Sequence, residues 1–523
     1  MNEAWHGIWD CFEAAVAAAP DKVGVIDGDV RLTYRQLRKR AASLALALRV
    51  LGVGEGDRVA MLDRNSAEYI ETYFAAAGLG VILCPLNTRL APVEQAAVLT
   101  DAGAKVLIAR GDQAPAVAAV LERGSPVSRV VWIDPSAEPI PSVAADDYEA
   151  LLARHSGPFE PAADDPDRVA HLYYTSGTTG RPKGVMLTHR NVRTHATAAA
   201  EELELTANDV WGHVAPMFHL ADAWAVFAIT AVAGTHVVVP RFVPDLVLDS
   251  LALHGVTLTN LIPTMLNLVA ERQRTIPRNC RSLRLLLSGG APIAPRVVRA
   301  VLEVFGCDYM QTYGLTETSP YLTLGKLPPH LAALPFEERL VWKSKTGRPF
   351  GPAELRVVDD SGRDVPADGK TVGEILARGP TVTPGYWQRP EETAAAFCDG
   401  WLRTGDLAVI DSEGFLDIVD RHKDVIVTGG ENVYSTEVEA ALYDHPAVLE
   451  AAVFALPDET WGETVAAAVV LRPGLAATAG ELSDWCRARL AGYKIPRRVF
   501  FVDALPRTGS GKIAKRLLRE QRP

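Results

Sequence analysis

Eleven residues, Tyr174-Thr-Ser-Gly-Thr-Thr-Gly-Arg-Pro-Lys-Gly184, crowd hydroxyls, glycines and one lysine between two apolar runs. Val169–Tyr174 reads as a strand and Val185–Leu187 as a second, so the polar stretch is a loop between sheet elements. Thr175, Ser176, Thr178 and Thr179 offer hydroxyl and backbone N–H donors, Gly177, Gly180 and Gly184 let the backbone approach an anion, and Lys183 adds a point charge. That combination reads as a loop that grips phosphate. The plainer alternative is a solvated hairpin, but turn chemistry alone does not ask for so many donors interleaved with glycine. A Walker A loop is excluded by spacing, because Lys183 follows Gly180 by three residues and is itself followed by Gly184. Gly511-Lys512 fails the same test, with Pro506 where the first glycine would stand and Ile513 in place of Ser/Thr.

The segment resembles the signature loop of the adenylate-forming superfamily, which includes acyl-CoA synthetases, peptide-synthetase adenylation domains and beetle luciferases. Further stretches resemble that family's motifs in order: Leu32-Thr-Tyr-Arg-Gln-Leu37, Asn87-Thr-Arg-Leu-Ala-Pro92, Gln311-Thr-Tyr-Gly-Leu-Thr-Glu317, Gly373-Glu-Ile with Pro384-Gly-Tyr-Trp387, Trp401-Leu-Arg-Thr-Gly-Asp406, Asp420-Arg-His-Lys-Asp424 and Pro506-Arg-Thr-Gly-Ser-Gly-Lys512. The series spans almost the whole chain and is far more specific than any one member.

At 523 residues the chain is too long for one core, and 48% hydrophobic with 22% charged residues is ordinary for a globular enzyme. A net charge of −11 gives no general attraction to nucleic acid or anionic membrane, so any anionic ligand needs locally basic sites. Six cysteines without Cys-x-x-Cys spacing argue against a disulfide framework or a zinc site, and point to a reducing, cytoplasmic setting. Met1–Pro20, carrying Glu3, Asp10 and Glu13, reads as an amphipathic helix and not as a signal peptide. The uncharged stretch Ala223–Pro240 reads as a buried helix through Val232, a turn at Gly234 and a strand Val237–Val239, not as a membrane span.

Alternating helix and strand patterns predict an α/β architecture. Thr33 and Gln36 form a capping box for a helix, and a turn over Gly52–Gly56 leads into a strand Arg58–Leu62. The fold class expected is a large N-terminal domain of doubly wound α/β subdomains plus a small β-barrel subdomain, followed by a smaller, mobile α+β C-terminal domain. The boundaries predicted are 1–420, with subdomains of about 1–165, 166–345 and 346–420, a hinge at 421–423, and 424–523. Within the last part Thr436 and Glu439 are expected to cap a helix, strands are expected at Ala451–Leu456 and Val465–Leu471, and Lys515, Arg516 and Arg519 are expected on a solvated basic helix.

The resemblance implies ATP, Mg²⁺ and CoA as cofactors and assigns roles by motif. Thr175, Ser176, Gly177, Thr178, Thr179 and Lys183 are expected to hold phosphates. Glu317 is similar to the family's magnesium-binding glutamate, Thr316 is expected to bond the α-phosphate and Tyr313, between Thr312 and Gly314, to stack on adenine. Gly289, Ala291 and Pro292 resemble the turn beside adenine and the acyl pocket. Asp406, assisted by Arg421, is expected to accept from the ribose hydroxyls, and Lys512 to bridge the attacking carboxylate and the α-phosphate. Lys423 matches the family's hinge. Gly429 and Gly430 resemble the segment lining the pantetheine tunnel, though a strand turn accounts for them equally well.

Pro216-Met-Phe-His-Leu-Ala-Asp222 separates the branches, because amino-acid-activating members place an aspartate where His219 stands. His219 is similar to the gate histidine of acyl-CoA synthetases. Asp222, one helical turn away, keeps the amino-acid reading open. Ala221, Trp224, Ala225, Ala228, Gly289 and Gly290 are candidates for an apolar acid pocket. The reading is therefore an ATP-dependent acyl-CoA synthetase for a hydrophobic, fatty or cyclic carboxylic acid, without nucleic-acid partner or membrane span. Alternatives are a ligase that loads a carrier-protein thiol, a luciferase-like oxidative role, and a member that binds nucleotide without turnover. The acid's size and the oligomeric state, a homodimer included, stay open.

Overall fold

The computed structural model describes residues 7–134, 140, 143–163, 165–176, 182–291, 293, 295–507 and 513–521. Two largely parallel sheets carry most of the chain. The first runs in the order Ala144–Asp147, Arg129–Ile133, Val106–Arg110, Arg58–Leu62, Ile82–Pro85, Val169–Ser176, Pro182–Thr188, parallel throughout except for the last pair. The second has nine strands, with Tyr321–Leu324 and Arg348–Pro349 beyond Asp308–Gly314 at one edge, and Val23–Asp27 with Val30–Thr33 at the other. Arg58–Leu62 (RVAML) is buried from Val59 onward, the continuous apolar run that a parallel strand covered on both faces requires.

Helices pack between and around these sheets. Thr33 closes the expected capping box, accepting from the Gln36 N–H at 3.2 Å while Gln36 Oε1 accepts from the Thr33 N–H at 2.8 Å. The helix Ala67–Leu79, capped by Ser66, is buried at every position but Glu68, as a helix with packing partners on all sides must be. One apolar cluster joins Val59 and Leu83 of the first sheet to Leu285 and Leu287 of the second through this helix and Leu220–Ala231. Phe12 stacks on Phe74 at 4.1 Å, and Phe74 meets Phe227 edge-on at 6.2 Å. Each such ring contributes about 2–3 kcal/mol by burial.

The sheets do not follow the expected cut near residue 165. Val25 pairs in parallel with His236, which places Val23–Thr33 on the second sheet, and Leu83 pairs with His171, which draws 169–188 onto the first. Parallel neighbours are joined by long crossovers, so closeness in sequence does not decide sheet membership. The stretch Ala223–Pro240 is the helix Leu220–Ala231 followed by the strand Thr235–Val238. Among the described residues no helix is long and apolar enough to cross a membrane.

A third, antiparallel sheet is built from Glu354–Val358, Gly373–Arg378, Trp401–Ile410, Phe397–Cys398 and Leu416–Arg421. A fourth contains Ile426–Thr428, Glu431–Val433, Val448–Asp458 and Gly462–Leu471, with Arg498–Phe501 parallel to the last. The helix Ser435–Tyr443 is not capped by Thr436 and Glu439. Thr436 lies inside it and donates its hydroxyl to the Val419 carbonyl, while Glu439 accepts from the Val453 N–H and pairs with Lys515. Lys515 and Arg519 are not solvated as the sequence suggested. Lys515 meets Glu439 at 2.8 Å and Arg519 meets Asp424 at 2.8 Å, and only Arg516 points to water. Arg472 reaches Glu271 at 3.4 Å, tying the fourth sheet to the second sheet's helices.

Candidate functional site

The strands that flank the hydroxyl-rich segment pair antiparallel, with Thr175 facing Lys183 and Tyr174 facing Gly184. Thr175 and Lys183 are half-buried. Gly177, Thr178 and Thr179, and the side chain of Ser176, lie outside the described residues. Tyr174 donates its phenol proton to Asp101 at 2.8 Å, and Asp101 also pairs with Arg389, so the base of the hairpin is anchored by two side chains.

A second segment docks on the hairpin's free edge. The Met186 N–H donates to the Gly385 carbonyl at 3.1 Å and the Trp387 N–H to the Gly184 carbonyl at 2.8 Å, with Val185 opposite Tyr386. The strap brings Tyr386 under the lysine, whose Nζ lies 5.1 Å from the ring centroid. The same phenol donates to Glu317 Oε1 at 3.0 Å. Burial and the neighbouring Glu317 carboxylate push the Tyr386 pKa up, so the hydroxyl keeps its proton. Tyr386 is absent from the residues singled out by sequence, although its motif was among those matched.

Glu317 and Thr316 occupy a short turn after the strand Asp308–Gly314. The approach is close enough to demand glycine at two positions. A Cβ on Gly314 would stand 1.7 Å from the Pro320 carbonyl oxygen, and one on Gly289 would stand 2.3 Å from Thr312 Oγ1. Thr312 donates to the Ser288 carbonyl at 3.1 Å and Gln311 to the Ala291 carbonyl at 3.1 Å, so Gly289, Ala291 and Thr312 lie side by side. Pro292 is outside the described residues.

The third sheet supplies the opposite wall. Asp406, 3% exposed, accepts from the Tyr313 phenol at 2.8 Å and pairs with Arg421 Nε at 3.0 Å across the strand register Asp406–Arg421. Three sequence candidates thus form one connected group, held by strands from two sheets.

His219 caps the helix Leu220–Ala231, its Nδ1 accepting from the Ala221 N–H at 3.0 Å. Asp222 points elsewhere. Fully buried, it meets His213 Nδ1 at 2.5 Å and accepts from Trp211 Nε1 at 3.2 Å, while His213 Nε2 continues to His236 at 2.9 Å and His236 to Thr230 at 3.0 Å. Its carboxylate is thereby committed to the core. Trp224, Ala225 and Ala228 are buried, with Trp224 packed on Trp211 and Tyr321 at 5.0 Å each.

Lys423 is exposed in the turn His422–Asp424. Gly429 and Gly430 join two short strands with φ of +60° and +84°, and a Cβ on Gly429 would strike the Trp461 ring at 2.7 Å. Lys512 lies outside the described residues. Among the described residues no cluster of three or more His, Cys, Asp or Glu side chains is placed to hold a metal ion.

Residues 12–387 match the AMP-binding enzyme family and residues 437–512 match the AMP-binding enzyme C-terminal domain. The chain belongs to that family. It is 40% identical to a long-chain-fatty-acid–CoA ligase of Thermus thermophilus, covering 100% of this chain and 96% of the relative. It is 38% identical to a feruloyl-CoA synthase of Amycolatopsis, over the whole of both chains. Among solved structures it resembles the anthranilate CoA ligase AuaEII in complex with anthranoyl-AMP, with a TM-score of 0.88, 27% identity and coverage of 98% and 97% of the two chains. Its place is in the acyl-CoA synthetase branch of the adenylate-forming enzymes.

Proposed function

We propose that this protein is an ATP-dependent acyl-CoA synthetase. In the first half-reaction a carboxylate oxygen of the acid attacks the α-phosphorus of ATP and the bond to pyrophosphate breaks, leaving acyl-AMP. In the second, the thiolate of CoA attacks the acyl carbon and AMP departs. ATP and CoA are the co-substrates.

The observation that carries this reading is the convergence of two connected groups, Lys183–Tyr386–Glu317 and Tyr313–Asp406–Arg421, around the turn 313–317. In this account Lys183 and the donors Thr175, Ser176, Gly177, Thr178 and Thr179 hold the β- and γ-phosphates, and Thr316 holds the α-phosphate. Tyr313 packs its ring on adenine beside Gly289, Ala291, Pro292, Thr312 and Gly314. Asp406, oriented by Tyr313 and Arg421, accepts from the ribose hydroxyls. Lys512 places an ammonium where charge develops between the carboxylate and the α-phosphate.

Among the described residues no cluster of three or more ligating side chains forms a cage, and a lone carboxylate suits Mg²⁺, which is held by one or two carboxylates together with substrate phosphates. Glu317 is the residue we assign to it. When bound, the ion would neutralise charge on the phosphates. Lys423 serves as the hinge between the half-reactions and Gly429 and Gly430 admit the pantetheine arm.

The acid is placed among hydrophobic, fatty or cyclic carboxylic acids. Support comes from His219 standing where an amino-acid-activating enzyme has an aspartate, and from Asp222 being engaged by His213 and Trp211. An ammonium in that site would lack a counter-charge, at a cost of several kcal/mol. A carrier-protein thiol could replace CoA with the same residues. A cytoplasmic setting fits six unpaired cysteines. The test is mass spectrometry of products with CoA and a phosphopantetheinylated carrier offered together. Acyl-CoA plus AMP is expected, and acylated carrier alone would reassign the acceptor.

A further inference from the structure

We propose that Tyr386 is a positioning residue that sets Glu317 and Lys183 as one unit against the nucleotide's phosphates. The inference rests on the nucleotide-activating function proposed above. A single side chain touches both groups, its hydroxyl donating to Glu317 Oε1 at 3.0 Å and its ring face lying 5.1 Å from Lys183 Nζ. A hydrogen bond donated to a carboxylate fixes its rotation, and an ammonium over a ring face is held by the ring's quadrupole.

The backbone around Tyr386 is locked to both partners. Towards Lys183, the bonds from Met186 to Gly385 and from Trp387 to Gly184 join the strap to the hairpin through one antiparallel bridge, Val185 to Tyr386. Towards Glu317, the Thr383 N–H donates to the Glu317 carbonyl at 2.8 Å, and Thr383 Oγ1 donates to the Met186 carbonyl at 2.6 Å. The Tyr386 N–H donates to Thr393 Oγ1 at 3.0 Å. Gly385 has φ +143° and a Cβ there would stand 2.4 Å from Thr393 Cγ2, so the strap meets Thr393 too closely for any other residue. At its far end Arg389 pairs with Asp101, which also holds Tyr174 at the hairpin base. These anchors lie on the element that carries Lys183, on the turn that carries Glu317, on the hairpin's own support and on the helix Pro390–Ala396 that carries Thr393.

Tyr386→Phe keeps the ring and removes the hydroxyl, and Tyr386→Leu removes both. Binding of ATP, with Mn²⁺ as the spectroscopic metal, is followed by electron paramagnetic resonance and compared with metal-free ATP binding in chelator. The phenylalanine variant is expected to weaken the Mn²⁺–ATP complex about tenfold, the effect of losing one hydrogen bond to a charged group, while metal-free ATP binding changes less than about twofold. The leucine variant is expected to weaken both. In turnover, the Mg²⁺ concentration for half-maximal adenylation should rise about tenfold for the phenylalanine variant with the KM for CoA unchanged. Wild-type Mn²⁺–ATP affinity in the phenylalanine variant overturns the proposal, as does a uniform fall in every constant together with a lower thermal midpoint. If the wild-type protein binds Mn²⁺–ATP yet activates no acid, the proposed function fails while the role of Tyr386 is still decided by binding. A wild-type protein that binds no nucleotide overturns both.

Discussion

Asp222 is where the choice between an organic acid and an amino acid can be tested as a stability question. Its carboxylate is fully buried between His213 Nδ1 at 2.5 Å and Trp211 Nε1 at 3.2 Å, and His213 passes the chain on to His236 and Thr230. Asp222→Ala strands two buried N–H groups, each costing about 1–3 kcal/mol, so a total of about 3–5 kcal/mol is expected. Asp222→Asn behaves differently. The amide oxygen still accepts from Trp211, and the amide N–H can donate to His213 once both rings carry their proton on the opposite nitrogen. The cost then falls to about 1–2 kcal/mol. With an unfolding entropy of about 2.1 cal/mol/K per residue over roughly 400 residues, these losses lower Tm by about 4–6 °C and about 1–2 °C. Calorimetry at one fixed scan rate gives the comparison, and the KM of the asparagine variant for its best acid should stay within about threefold of wild type. An asparagine variant with unchanged Tm and a KM raised more than about tenfold would refute the reasoning, because Asp222 would then be meeting the substrate.

Other substitutions probe separate parts of the account. Gly314→Ala sets a Cβ 1.7 Å from the Pro320 carbonyl and should cost about 3 kcal/mol or more in urea unfolding, whereas a loss below about 1 kcal/mol would mean the turn yields freely. Lys512→Ala should slow acyl-AMP formation by about 10²–10³ while sparing much of thioester formation from supplied acyl-AMP, and equal loss of both would remove its assigned role. Burial pulls the pKa of His171 and of His195 down to about 3 and that of His189 to about 4. These rings are neutral when folded but protonate in the unfolded chain below about pH 6.5, so stability is full above that pH and falls as pH drops towards 4. The slope should approach about 1.4 kcal/mol per pH unit for each ring, read from urea midpoints, and a flat profile would contradict it.

Local features were legible in the sequence because their causes are local. The Thr33–Gln36 capping box, the strand Arg58–Leu62 and the hairpin carrying Thr175 and Lys183 all rest on neighbours in the chain. Thr436 and Glu439 carry the spacing of a helix cap, yet distant partners claim both side chains, Val419 for the hydroxyl and Val453 and Lys515 for the carboxylate. Tyr386 was not legible because its meaning comes from pairing with Val185, some 200 positions earlier, and from Glu317 in the distant turn Thr316–Thr318. The crossing of Val23–Thr33 to the second sheet is likewise a consequence of parallel pairing, which no short window of sequence records.

The most direct test of the central claim is acid-dependent exchange of labelled pyrophosphate into ATP, run with magnesium and a panel of fatty, aromatic and amino acids. The account predicts exchange with one or more hydrophobic carboxylic acids and none without acid. Exchange confined to amino acids, or no exchange with any acid by protein that binds the nucleotide, would contradict it.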